Sequence, residues 1–153
     1  MVHKQRHPKY THSFIDSCAF DPGGKEEKCS RRLIALSDDG ELVLEIAHSV
    51  QKEIDHLHTP NDVKTLARTL IYSIETSLTP DLQSRRDEIR GLIRGNAAEG
   101  KHENDADHIF DLYKHGGGYF ITTDDSFFLF QAYYSQNISS LLSSRVTTRP
   151  CYE

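Results

Sequence analysis

The chain has 153 residues, 37% hydrophobic and 27% charged, with a formal net charge of −5 at neutral pH. That length suits one domain spanning residues 1–153 and able to bury a sizeable core, and no apolar run reaches the roughly 18–20 residues of a membrane span. The acidic balance argues against holding nucleic acid by bulk electrostatics alone, without excluding nucleic acid as a substrate.

Residues 1–11 are polar and basic, lack the apolar segment of a secretory signal, and read as a flexible tail on a cytoplasmic protein. His12 to Asp16 reads as a first short strand that ends on a carboxylate. Asp21-Pro22-Gly23-Gly24 is a turn cluster, and a helix is expected from Lys25 to about Asp39, with Gly40 as its stop. Leu42, Val43, Leu44 and Ile46 form the near-continuous apolar run of a buried parallel strand. Ser49 is placed to cap a short helix carrying Val50, Glu53 and Ile54. After the break at Pro60, Asn61 is expected to cap a helix with Val63, Leu66, Ala67, Leu70, Ile71 and Ile74 on one face. Thr79 caps the next, with Pro80 at its first position and Arg85, Arg86, Arg90 and Arg94 off its apolar stripe.

Asn104-Asp105 opens a further helix, and Gly116-Gly117-Gly118 ends it. Tyr119 to Asp125 then reads as a buried strand that delivers two carboxylates to the carboxyl edge of a sheet. Arg145 to Thr148 is a candidate edge strand. The aromatic run Phe127, Phe128, Phe130, Tyr133 and Tyr134 is a candidate dimer contact, although core packing is the commoner fate of such a stripe. Cys18, Cys29 and Cys151 match no zinc spacing and read as thiols.

In an open α/β sheet, strand ends and the starts of the following helices share one edge, where ligands bind. Asp16, Glu53, Asp105 and Asp124 all stand at such positions. Each alone reads as a cap or turn residue; together they form a cluster of hard oxygen donors suited to Mg²⁺ or Mn²⁺. The three glycines precede a strand instead of joining a strand to a helix, so they are no phosphate cradle. No nucleophilic Ser or Cys triad is evident.

The segments Phe14-Ile15-Asp16-Ser17-Cys18, Ser49 to Ile54, Asp105-Ala106-Asp107-His108-Ile109 and Tyr119 to Asp125 appear in an order that resembles the PIN-domain nucleases, including VapC-like toxins of toxin–antitoxin pairs. The resemblance implies a three-layer α/β/α sandwich with a mostly parallel sheet of four to five strands. It implies a metal-dependent endoribonuclease acting on single-stranded or structured RNA, or, alternatively, a PIN-like scaffold with an unused site. Asp16, Glu53, Asp105 and Asp124 would be its metal-site acids. Asp125 would be an extra ligand or a supporting group, or equally a cap of the next helix; Thr122 and Ser17 would support the cluster, and Asp107 competes with Asp105 for the third acid. The segment from Thr79 to Lys101 is longer and more basic than the family requires; Arg85, Arg86, Arg90 and Arg94 are candidate contacts to RNA backbone, although an ordinary solvated helix face is the commoner fate of such a surface. An antitoxin protein and a second copy of the chain are candidate partners. Cys18 departs from the family, which often has Asn or Ser there.

Overall fold

A computed structural model of the chain describes residues 7–20, 27–124 and 145–146. Asp125, Cys151 and the aromatic run from Phe127 to Tyr134 lie outside the described residues. In chain order the elements are β1 (His12–Ile15), α1 (Glu27–Asp38), β2 (Val43–Ile46), α2 (His48–Ile54), α3 (Asn61–Ala67), β3 (Ile71–Tyr72), α4 (Pro80–Arg94), α5 (Glu103–Lys114), β4 (Tyr119–Ile121) and β5 (Arg145–Val146). This is a mixed α/β arrangement around a small, open, parallel sheet. Its body is β2-β1-β4, in register His12 with Val43 and Ile15 with Ile121, and the two-residue ladders β3 and β5 lie at either edge.

The central position of β1 follows from its composition. Ser13, Phe14 and Ile15 are all buried, as expected of a parallel strand covered on both faces. Phe14, Ile15, Ile46, Ile54, Leu112 and Phe120 are among the most deeply buried side chains, packed between sheet and helices. The chain runs β1, β2, β3 outward on one side and then crosses back to place β4 on the other side of β1. A crevice at the carboxyl ends of the strands is the expected result of that reversal.

Two sequence expectations fail locally. The apolar stripe from Val63 to Ile74 is not one helix: α3 ends at Ala67, a turn follows, and Ile71–Tyr72 joins β2 as a strand. Leu70 and Ile71 continue the helical period by coincidence, and a two-residue strand is too short to show alternation. Cys29 is disulfide-bonded, not the thiol expected. By contrast, Thr79 caps α4 as expected, accepting from the Leu82 backbone N–H at 3.3 Å. No helix among the described residues is long and apolar enough to cross a membrane.

Two of the three glycines have separate reasons. Gly116 adopts φ +67° just past α5, in the left-handed region that glycine enters freely. Gly117 is a packing requirement, because a Cβ there would lie 2.2 Å from Leu112 Cδ1 and 2.9 Å from the Phe14 ring. Both neighbours are fully buried and have no room to retreat. Gly117→Ala should therefore destabilise the fold by about 1–3 kcal/mol, the cost of overpacking a filled core. A urea melt with an unchanged midpoint would refute that.

Candidate metal centre

Asp16 follows β1 directly, where the strand delivers its carboxylate to the sheet edge, and it is only 5% exposed. A buried carboxylate must be compensated. Its Oδ1 accepts from the Ser17 backbone N–H at 2.7 Å, and its Oδ2 accepts from the Thr122 hydroxyl at 2.7 Å and from the Cys18 thiol at 3.1 Å. Thr122, just past β4, is itself held by the Asp124 backbone N–H, donated to its hydroxyl at 3.1 Å. The supporting role expected of Thr122 thus has a specific geometry.

Ser17 does the same for the second acid. Its hydroxyl lies 2.7 Å from Glu53 Oε2 and 3.4 Å from Asp16 Oδ1. One hydroxyl proton serves one acceptor well, and the distances assign it to Glu53. Asp16 Oδ1 consequently keeps acceptor capacity beyond its backbone hydrogen bond.

The third member of the group was not anticipated. His108, on α5 and 3% exposed, places Nε2 3.2 Å from Glu53 Oε1 and Nδ1 2.9 Å from the Ser49 hydroxyl. Asp16, Glu53 and His108 each offer a ligand atom, and these atoms all lie within 4.8 Å of one another. Two carboxylates and an imidazole at that spacing suit a divalent ion, and the spare acceptor capacity of Asp16 fits the same use. Glu53 sits below the usual carboxylate range chiefly through the His108 hydrogen bond, with Ser17 and Asn104 adding to it against burial. For His108, burial works against the charged ring, but the Glu53 hydrogen bond and the negative charges of Asp16, Glu53 and Asp105 prevail and raise its pKa.

Ser49 was expected to cap α2. Instead α2 has no side-chain cap of its own; Asp111 Oδ2 accepts from the Ser49 backbone N–H at 2.9 Å, and the Ser49 side chain turns to His108. Asp111 is buried and was likewise missed. The signal for both lay in their spacing, since His108 and Asp111 are three apart on one helix and so face the same neighbour.

Asp105 does not open its helix, which begins at Glu103, and its carboxylate lies 3.0 Å from His102 Nδ1. Asp107 is held by Arg86 and Arg90, each making two hydrogen bonds of 2.7–3.0 Å. Neither Asp105, Asp107 nor the half-buried Asp124 belongs to the group formed by Asp16, Glu53 and His108. The arginine expectation shifts too. Arg86 and Arg90 are committed to Asp107, Arg85 pairs with Glu88 and lies over the Tyr113 ring, and Arg94 is exposed at the end of α4.

Cys18 bridges the two strand ends, with Sγ 3.3 Å from the Thr122 hydroxyl and 3.4 Å from the Thr123 backbone nitrogen. Burial and the Asp16 charge push the thiol up to about 11, so it stays protonated and acts as a weak donor to Asp16. A cavity of about 650 Å³ opens beside the centre, lined by Ser17, Cys18, Glu53 and His108 and extending along α2 to His58 and Pro60. No protein-family model, no curated protein and no solved structure matches the chain.

Proposed function

We propose that the chain is a divalent-metal-dependent endoribonuclease with a PIN-like three-layer fold, cutting phosphodiester bonds of single-stranded or structured RNA. The observation that carries the reading is the convergence of Asp16, Glu53 and His108 at the strand ends, beside an open cavity. Asp16 and Glu53 would hold the ion through carboxylate oxygens and His108 through Nε2. When bound, the ion supplies Lewis acidity toward a phosphodiester. Thr122 and Ser17 fix the orientation of the two carboxylates, and Ser49 fixes the His108 ring, so the donors are aimed before an ion arrives.

The imidazole changes the expected choice of ion. Mg²⁺ prefers oxygen donors alone, whereas first-row transition ions accept nitrogen. Mn²⁺ should therefore support cleavage at concentrations about tenfold below those needed for Mg²⁺, an effect of the size that ligand changes produce. His108→Gln should narrow that gap. The test is cleavage of a labelled RNA titrated with each ion and with a chelator. Cleavage that survives the chelator, or no cleavage with either ion, would sink the proposal. Equal support by both ions would leave His108 as the group that orients Glu53.

A further inference from the structure

The cavity beside the centre is far larger than an ion needs, and its about 650 Å³ falls within the roughly 300–1,000 Å³ of ligand sites. Its walls differ in character. Besides Glu53 and His108 of the centre, its lining includes Lys52, His56 and His58, all exposed, and the buried apolar side chains of Ile54 and Val63. Lys52 and Glu53 are consecutive on α2, so their side chains leave the helix in different directions: the Glu53 carboxylate reaches the centre, and Lys52 lines the cavity from an exposed position.

On the α5 side, Asp107 also lines the cavity, but its charge is met by two guanidiniums, leaving that trio with a net charge of +1. The Lys52 ammonium lies 3.7 Å from Glu75, and both side chains are about two-thirds exposed. A pair of that kind contributes little and yields readily to a better anion. The His56 and His58 rings lie 5.3 Å apart and are tilted by 47°, and both residues are exposed in the turn that follows α2.

From this arrangement we infer that the cavity is a cleft for single-stranded nucleic acid, in which Lys52 holds a backbone phosphate and the His56 and His58 rings stack an unpaired base. The inference rests on the nuclease reading for the position of the scissile bond but assigns binding to residues outside the centre. Unpaired bases stack on aromatic and histidine faces, and backbone phosphates are met by ammonium groups. A duplex buries its bases and cannot use that wall.

The test measures binding by fluorescence anisotropy, with wild-type protein, chelator present and a short labelled single-stranded RNA over a range of salt concentrations. Lys52→Gln should lower the slope of log affinity against log salt by about 0.7, the share of one phosphate contact on a single strand. His56→Ala with His58→Ala should weaken binding about tenfold, with little change in the slope. Lys9→Ala, beyond the opposite end of β1 and paired with Glu41, serves as control and should match wild type. All three target residues are exposed, and thermal melts check that each variant folds.

Single-stranded RNA bound equally well by wild type and both site variants overturns the inference, as does no binding or equal affinity for duplex. The two readings fail separately. Cleavage with unaltered affinity in the variants removes the cleft and leaves the nuclease. Loss of affinity in the variants of a protein that never cleaves leaves the cleft and removes the nuclease.

Discussion

Asp16→Asn should lower RNA cleavage by about 10²–10³-fold, the scale on which removing one preorganised electrostatic group acts, and should weaken binding of Mn²⁺ by at least about tenfold. The substitution keeps the shape of the side chain and removes its charge. Its remaining oxygen still accepts from the Ser17 backbone N–H, and its new amide donates to Thr122, whose hydroxyl reverses to accept. The fold should therefore lose only about 1 kcal/mol, one ordinary hydrogen bond's worth. Calorimetric titration with Mn²⁺, a cleavage assay and a urea melt read the three quantities separately. A folded variant that binds the ion and cleaves normally would remove Asp16 from the centre.

The second large effect falls on stability. Asp107→Ala leaves the guanidiniums of Arg86 and Arg90, each about 30% exposed, without the carboxylate that accepts four hydrogen bonds from them. The expected cost is about 2–3 kcal/mol, since charge-assisted bonds to partly buried groups exceed those of surface pairs. Burial of the Asp107 carboxyl acts to raise its pKa, but the two arginines outweigh it and hold the group below its ordinary 3.8. A depressed folded pKa means that the unfolded chain takes up the proton first as pH falls. The contribution is thus complete well above pH 3.8 and disappears as pH drops through the folded value. Urea melts of wild type and variant should differ most near neutrality and converge in acid; a gap that persists or widens there would contradict the assignment. Binding of Mn²⁺ should survive this substitution, which separates Asp107 from the centre.

Much of the site was legible because strands and helix starts announce themselves. Asp16 at the end of an apolar run, Glu53 in the short helix after the second strand, and Thr122 past the last central strand all stand where their sequence context placed them. What stayed hidden depends on faces that meet only in three dimensions. Asp105 looked like a helix-opening ligand, yet α5 begins two residues earlier and presents His108 to Glu53. Nearly every side of α5 is buried, so its periodicity marks no single functional face. The arginines of α4 read either as a solvated face or as a contact to RNA backbone, because nothing in α4 itself reveals Asp107, the partner of Arg86 and Arg90 supplied by another helix.

The hydrogen bond from Thr122 to Asp16 joins residues 106 positions apart. Contacts so distant in sequence close a long loop, and such closure comes late in folding. During synthesis from the amino terminus, a chain that has reached α5 already contains Asp16, Glu53 and His108 but has no β4 beside β1. Asp16 then lacks the hydroxyl that orients it, and one flank of the central strand is uncovered. A protein proposed to cut RNA is thereby kept incomplete while it emerges from a ribosome, and its centre is assembled only as its last central strand arrives.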